Sequence, residues 1–303
     1  MQDKETLGLI EGAGRSLARK WGGAARAREL LAEPLSHDRR AWDAVVEQGW
    51  LGLMVPEEKG GLGLSARALV GLLQEIGSGL VMSPVLHGIA TSALLAHIGT
   101  AEADAILSNV VSGKSISLAS LPFDGGVPHL LERGAIGSPI RACLHDSHGA
   151  NEIIVFDEHT AQIGRVPVNG GEAVAFLETI DGGSVGSVIV SEFVAKDLIA
   201  SGPAVSSAMS LVQDIITIGS AAMLLGCAGR AFDMSLDYLR TRQQFGTAIG
   251  TFQALQHRAA TPERRIVRRR PRAGARNGPS VGWRSAPGRR SRGMSDRRSD
   301  AKR

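Results

Sequence analysis

The feature that most constrains the fold is a double change in the spacing of apolar residues along the chain. Up to about residue 111 they recur with the 3.6-residue period of helices. From 115 to about 200 they form short runs broken by Gly, Pro and Asp, which is typical of strands and turns. The helical period returns after Pro203. This order predicts an α+β protein in which two helical segments flank a β-segment.

These changes divide the chain into four predicted regions. Residues 1–113 are expected to form an N-terminal all-helical domain, and 114–203 a β-domain of barrel or sandwich type. Residues 204–260 are expected to form an incomplete C-terminal helical domain. Residues 261–303 are predicted to be a disordered Arg-rich tail, because they contain too few apolar residues to order themselves.

Local signals predict individual elements. One helix is expected over 86–98, and another after Thr100, which suits an N-cap position. The long helix after Pro203 is predicted to carry one apolar stripe. That stripe comprises Leu225, Ala228, Phe232, Leu236 and Leu239. The expected strands are Ile116–Leu121, Ile153–Phe156, Ala173–Leu177 and Val185–Val190.

Charge is distributed unevenly. Residues 261–303 carry fifteen basic and three acidic residues, while residues 1–260 carry nineteen basic and twenty-seven acidic ones. The abrupt start of the tail suggests a change of reading frame in a GC-rich gene, and a native basic tail is the alternative. Fourteen arginines could also bind nucleic acid through phosphates. Trp283 is the one aromatic residue of the tail, so a stacking platform is not indicated.

Cysteine usage and hydropathy favour a cytoplasmic protein. Cys143 and Cys227 lie far apart and form no metal-binding pair. No signal peptide is evident at the N-terminus. The uncharged stretch Ile215–Gly229 is shorter than the ~20 residues that cross a bilayer, so a buried helix is expected there.

The most specific segment is Tyr238–Arg258, with the sequence YLRTRQQFGTAIGTFQALQHR. Its pattern predicts a helix that ends at Gly246, a short turn, and a second helix capped by Thr251. Arg242 would then project from a helix end, where a guanidinium can bind phosphate through two bonds. Gln253 adds an amide that can donate and accept. A solvated arginine at a helix terminus is the alternative.

This segment resembles the signature Y-A-x-x-R-x-x-F-G-x-x-I-x-x-F-Q-x-x-Q of the acyl-CoA dehydrogenases. The stretch Gly49–Ser65, GWLGLMVPEEKGGLGLS, resembles a structural turn of the same family. The resemblance covers about residues 5–260 and implies FAD as cofactor. It implies that Arg242 contacts the FAD diphosphate and that Phe245, Phe252 and Gln253 shape the flavin site across a subunit interface. Gln256 and His257 correspond less closely.

The resemblance also implies an activity and partners. The family removes two hydrogens from the 2,3-positions of an acyl-CoA and passes the electrons to an electron-transfer flavoprotein, in lipid catabolism. A homo- or hetero-oligomer, arranged as a dimer of dimers, is expected. A non-catalytic partner subunit in a hetero-oligomeric dehydrogenase is the alternative.

Three positions depart from the family pattern. At the flavin-binding turn, only Ser120 (for Thr) and Pro122 match. Asp214 fits an acidic substrate position that is expected before the long helix, but Ile216 and Thr217 replace the glutamate and arginine that can follow it. The catalytic glutamate is expected C-terminal to the matched region. No catalytic residue is therefore assigned, and this chain is expected to be truncated, impaired and poorly soluble.

Two other motifs are weak. Ser112–Ser115 ends like a phosphate-binding loop but lacks its first glycine. His145 and His148 flank Asp146. We interpret this segment as a solvated turn in preference to a metal site. No metal is predicted.

Overall fold

The computed structural model describes residues 4–32, 38–119, 121–122, 140–145, 149–157, 160–168, 174–178, 184–190 and 193–260. All of them lie within one compact unit, Met1–Arg270. The predicted tail lies outside the described residues. Among these residues the first helices are α1 (Lys4–Trp21), α2 (Ala24–Leu31), α3 (Arg39–Glu47), α4 (Ala66–Ser78), α5 (Val85–Ile98) and α6 (Ala101–Val111). The helices expected over 86–98 and after Thr100 are thus confirmed as α5 and α6.

The core of the helical region is apolar and fully closed. Trp42, Leu51, Leu72 and Leu94 each have essentially no exposed surface. One charged group, Asp38, is buried at its edge with 1% exposure. Its carboxylate caps α3 by accepting from the amides of the following residues, and it accepts from Arg26 Nε at 2.7 Å. The buried charge is therefore paired and hydrogen-bonded, as burial requires.

In the described part of the chain, eight strands follow: β1 (Ser117–Ala119), β2 (Leu121–Pro122), β3 (Ile140–His145), β4 (Glu152–Asp157), β5 (Gln162–Pro167), β6 (Val174–Glu178), β7 (Ser184–Val190) and β8 (Leu198–Ser201). They form two four-stranded sheets, in the orders β1-β4-β5-β8 and β2-β3-β7-β6. The pairing of β1 with β4 is parallel, and the other pairings are antiparallel. Leu144 and Val188 of the second sheet share one core with Ile154 and Ile163 of the first, which gives a sandwich.

A single long helix, α7 (Pro203–Thr241), returns from the sheets and packs along α4 and α5. Glycines set how closely it approaches α4. A Cβ added at Gly226 would lie 2.0 Å from the carbonyl oxygen of Gln74, and one at Gly77 would lie 2.2 Å from that of Met223. Cys227 donates through Sγ to the Gly77 carbonyl at 3.1 Å, and burial raises the pKa of this thiol. The two backbones are therefore in direct contact.

The face of α7 that packs differs from the predicted stripe. Its buried residues are Val205, Ala208, Val212, Ile215, Gly219, Ala222, Gly226 and Gly229. The predicted residues Leu225, Phe232, Leu236 and Leu239 are only partly buried, and Ala228 is exposed. From Gly219 onward the buried residues are small, because the axes of α7 and α4 are close there. The size of the apolar side chains therefore did not predict which face of the helix is buried.

The length and hydropathy of α7 would also suit a membrane span, although only 28% of its most apolar window is buried. One such helix is weak evidence, because a core helix meets the same criterion. The packing of α7 against α4 and α5 accords with a core helix.

Candidate functional site

The signature segment forms a small hairpin at the end of α7. α7 ends at Thr241, and β9 (Gln243–Gln244) pairs antiparallel with β10 (Thr247–Ala248). A 3-10 turn over Ile249–Thr251 and a helix over residues 253–260 follow, which we call α8.

Two predicted boundaries in this segment were wrong. The first helix ends at Thr241 rather than Gly246, because the chain turns into the hairpin before the glycine. Thr251 does not cap the second helix. Its hydroxyl donates to the Ala248 carbonyl, and the carbonyl of Phe252 accepts from the first turn of α8. A two-residue hairpin carries too little periodicity to be read from sequence.

Phe245 stands at the tip of the hairpin, with 92% of its surface exposed. Its φ of 53° and the φ of 78° at Gly246 are both left-handed, as a type I′ turn requires. For a bulky residue this left-handed conformation costs ~1–2 kcal/mol. Phe252, 37% exposed, meets it edge-on with ring centroids 6.3 Å apart. An exposed aromatic pair on a strained turn does little for the stability of its own chain, which points to a functional role.

The backbone of Arg242 is held from both sides while its side chain is exposed. Its amide donates to the Tyr238 carbonyl, and its carbonyl accepts from the Ile249 amide, each at 2.9 Å. Arg240, two residues earlier, instead forms an ion pair with Asp237 at 3.2 Å. Within the described ranges no ion pair involves Arg242, so its guanidinium remains available to an anion.

The other signature residues lie near this hairpin. Gln253 is exposed at the first position of α8. Gln256 donates through Nε2 to the Gly250 carbonyl at 3.0 Å, and therefore braces the turn rather than facing a ligand. His257 is exposed. The hairpin and the segments directly before and after it thus expose one cation, one amide and two aromatic rings.

Asp214 lies far from this surface. It is the twelfth residue of α7, not a residue before the helix as expected, because α7 begins at Pro203. At 1.5 Å per residue, about 40 Å of helix separate it from the end of α7. Asp214 is only half-buried. Within one chain, it and Arg242 cannot contact the same small group.

Ser120 lies outside the described residues, but the strand before it is well anchored. β1 ends at Ala119 and belongs to the first sheet, whereas β2 begins at Leu121 and belongs to the second. The Ala119 amide donates to Thr91 Oγ1 at 2.7 Å, and Thr91 donates in turn to the His87 carbonyl. Sequence reasoning missed Thr91, since a threonine within an apolar helix gives no signal of a partner 28 residues away.

The two weak motifs gain no support. At Ser112–Ser115 the chain leaves α6 for β1, so no helix N-terminus follows to receive a phosphate. The amides of Gly113, Lys114 and Ser115 already donate to carbonyls of α6. The side chains of the His145–His148 stretch lie outside those described. In the part of the chain that is described, no group of three His, Cys, Asp or Glu side chains could hold a metal ion.

Comparison with known proteins identifies the family. The profile of the acyl-CoA dehydrogenase N-terminal domain matches residues 11–114, and that of the C-terminal domain matches 216–270, together more than half of the chain. Acyl-CoA dehydrogenase IpdE2 of Mycobacterium tuberculosis is 30% identical over 247 residues, which are 81% of this chain and 67% of the relative. The chain therefore spans about two thirds of that relative.

Solved structures share the fold. The ChsE4-ChsE5 complex from Mycobacterium tuberculosis matches with a TM-score of 0.71 at 22% identity, over 88% of this chain and 76% of the other. PigA, solved with FAD and proline, matches with a TM-score of 0.68 at 17% identity, over 87% and 76%. Together with the two domain profiles and the helix–sheet–helix architecture, these likenesses show that the chain belongs to the acyl-CoA dehydrogenase family.

Proposed function

We propose that the chain binds FAD through the hairpin after α7 and serves in the 2,3-dehydrogenation of an acyl-CoA thioester. The observation that carries this proposal is the exposed side chain of Arg242 directly before the hairpin whose tip exposes Phe245 in contact with Phe252. A guanidinium suits a diphosphate because it donates two parallel hydrogen bonds to oxygen atoms. The available donors and rings therefore fit the chemistry of FAD. When bound, FAD supplies the two-electron acceptor that this oxidation requires.

Each hairpin residue has a distinct proposed role. Arg242 binds the diphosphate, Gln253 donates or accepts through its amide, and the two phenylalanines exclude water from the flavin. Ser120 would contribute a hydroxyl to the flavin, as the family resemblance implies, and Asp214 would contact substrate. Because Asp214 and Arg242 are about 40 Å apart along α7, we propose that one site is completed by residues of two subunits.

The proton at the α-carbon must be removed by a carboxylate within hydrogen-bond reach. We assign no such residue among those described. We accordingly propose that turnover of acyl-CoA by this chain alone is impaired. Transfer of electrons to an electron-transfer flavoprotein and a cytoplasmic location stay predictions.

Paired arginine variants test the cofactor proposal. Flavin binding to the 303-residue chain would be measured by fluorescence titration with FAD. Arg242→Ala should raise the dissociation constant for FAD about 10- to 100-fold, as expected for the loss of a charge-assisted hydrogen bond. Arg240→Ala, whose guanidinium is already paired with Asp237, should change it less than about threefold. Equal effects of the two variants, or no FAD binding by the parent chain, would contradict the proposal.

A non-catalytic partner subunit is the second candidate. It is favoured by the exposure of the hairpin, which contributes little to its own chain's core and can complete a neighbour's site. Mixing the chain with a catalytically complete family member should then raise flavin occupancy. Bleaching of bound flavin by an acyl-CoA in the chain alone would instead support the dehydrogenase assignment.

A further inference from the structure

Strand β1 is short, yet side chains hold it at both ends. It has three residues and lies at the edge of the first sheet, where it pairs with β4. At its start, Ser117 Oγ donates to Glu152 Oε1 at 2.5 Å. At its end, the Ala119 amide donates to Thr91 Oγ1 of α5 at 2.7 Å. The position of the strand is therefore set by these side-chain bonds as well as by the sheet.

The hydroxyl of Thr91 is held in one orientation by its own helix. Thr91 is fully buried in α5 and donates to the His87 carbonyl, about one turn earlier, at 2.7 Å. A hydroxyl has one hydrogen to donate and two lone pairs that can accept. Since its hydrogen is committed to α5, Thr91 serves the Ala119 amide as an acceptor. The bond fixes the end of β1 against α5 at a point that is closed to solvent.

The residues directly before and after position 120 are both fixed. Ala119 is held by Thr91, and Leu121 pairs with Cys143 in the second sheet. Two residues of extended chain span at most about 7 Å. A shift of Ala119 would therefore be passed directly to the residue that follows it.

We propose that Thr91 is a positioning residue for FAD, which places the hydroxyl of Ser120 by fixing the end of β1. This inference rests on the proposed function, in which Ser120 contributes that hydroxyl to the flavin. A binding group must be held within about 0.5 Å of its productive position by its supporting bonds. With a fixed neighbour on either side, Ser120 has little freedom, and Thr91 supplies the bond on the N-terminal side.

Two substitutions of Thr91 separate the role of its hydroxyl from that of its shape. FAD binding to the 303-residue chain is measured by fluorescence titration. Thr91→Val keeps the branched shape but removes the acceptor, and it should raise the dissociation constant for FAD about tenfold, which corresponds to one hydrogen bond. Thr91→Ser keeps the hydroxyl but loses a methyl group, and it should stay within about twofold of the parent. Binding that depends on the methyl group rather than on the hydroxyl would overturn the proposal.

Ser117→Ala is the matched control, because it removes a side-chain bond from the opposite end of the same strand. It should lower the resistance of the chain to urea but change the dissociation constant for FAD less than about twofold. Equal losses of binding in Ser117→Ala and Thr91→Val would show that only the stability of β1 matters. Circular dichroism checks the folding of each variant. A Thr91→Val chain that does not fold would also overturn the proposal, since the hydroxyl would then serve folding.

Double variants test whether Thr91 acts through Ser120. When Thr91→Val is combined with Ser120→Ala, it should cause little further loss of FAD binding, because the hydroxyl that it positions is already absent. When it is combined with Arg242→Ala, its tenfold effect should remain, because Arg242 lies in a separate segment. Independent effects in both pairs would overturn the proposal.

The same titrations distinguish failure of this inference from failure of the proposed function. A parent chain that does not bind FAD overturns the proposed function, and this inference with it. Binding that weakens in Arg242→Ala but is unchanged in Thr91→Val leaves the proposed function standing and overturns this inference alone.

Discussion

The crossing of α4 with α7 and the hairpin over residues 243–248 differ in what determines their conformation. At the crossing, glycines bring the two backbones into contact beside the buried side chains of Leu73, Ile76 and Ala222. At the hairpin, a strained phenylalanine is almost wholly exposed beside a solvent-facing arginine. The first region is determined by the chain's own packing. The second retains a costly conformation that its own fold does not need, and this supports the proposed role of the hairpin in cofactor binding.

The largest expected effect is at the crossing. Gly226→Ala would push a methyl group to 2.0 Å from the Gln74 carbonyl oxygen, and a backbone atom cannot yield as a side chain can. We expect a loss of at least about 4 kcal/mol in the free energy of unfolding, measured by urea denaturation. Gly8→Ala is the control, because its added methyl group meets nothing within 4 Å. In helix α1 it should gain up to about 1 kcal/mol. Similar results for both would show that the contact is dispensable.

The buried carboxylate of Asp38 should come next. Asp38→Ala removes a helix cap and leaves Arg26 without its buried partner, which we expect to cost about 3 kcal/mol in unfolding free energy. Asp43→Ala breaks an exposed ion pair with Arg39 and should cost less than about 0.5 kcal/mol. A small effect at Asp38 would remove the distinction between buried and exposed pairs.

The contribution of Asp38 should also depend on pH. Burial favours its neutral form, but hydrogen bonds from Arg26 and from the Ala41 and Arg40 amides outweigh this and lower the pKa below its ordinary value of 3.8. The charged form therefore stabilises the fold fully above that ordinary value. As the pH falls through the lower folded pKa, the stabilisation is lost. The stability difference between the parent and Asp38→Asn should shrink below about pH 4, whereas a constant difference would contradict the charge-based account.

Two adjacent hydroxyls on α5 should give opposite results. Thr91 and Ser92 are both fully buried, but Thr91 joins α5 to β1 through the Ala119 amide. Ser92 Oγ has no hydrogen-bond partner among the residues described. Thr91→Val should cost about 1–3 kcal/mol because it leaves that amide unsatisfied. Ser92→Ala should be neutral or gain up to about 1 kcal/mol. Thermal unfolding of the two variants measures both changes. A larger loss of stability for Ser92→Ala than for Thr91→Val would contradict this expectation and would indicate that Ser92 binds a buried water.

The smallest expected effect on stability is at the hairpin tip. Phe245→Asn replaces an exposed, strained residue by one that tolerates the left-handed conformation. The free energy of unfolding should change by less than about 0.5 kcal/mol or rise slightly. Under the proposed function, FAD binding should weaken in the same variant. A large loss of stability without any change in FAD binding would show that the hairpin serves its own fold.

The fold was largely predictable from the sequence, but the strands less so than the helices. The predicted Val185–Val190 run is β7, whereas β3, β5 and β8 were not predicted. β5 contains Gly164 and Arg165, which interrupt an apolar run. Such a strand is defined by its partners on either side rather than by its own composition. The four-region division and the assignment of Ser120 stay predictions.

For the candidate site, the sequence by itself determined which functional groups the segment contains. The spacing of Arg242, Phe245, Phe252 and Gln253 indicated the family and the segment that we propose binds the cofactor. Only the tertiary structure decided that these residues lie in or next to one exposed hairpin and that Asp214 lies within α7 about 40 Å away. It also decided that small residues, rather than the leucine stripe, face α4. The physical reason is that residue type and spacing report local propensity. Which face of a helix is buried depends instead on how closely its neighbours approach, and that distance is set by glycines and carbonyls distant in sequence.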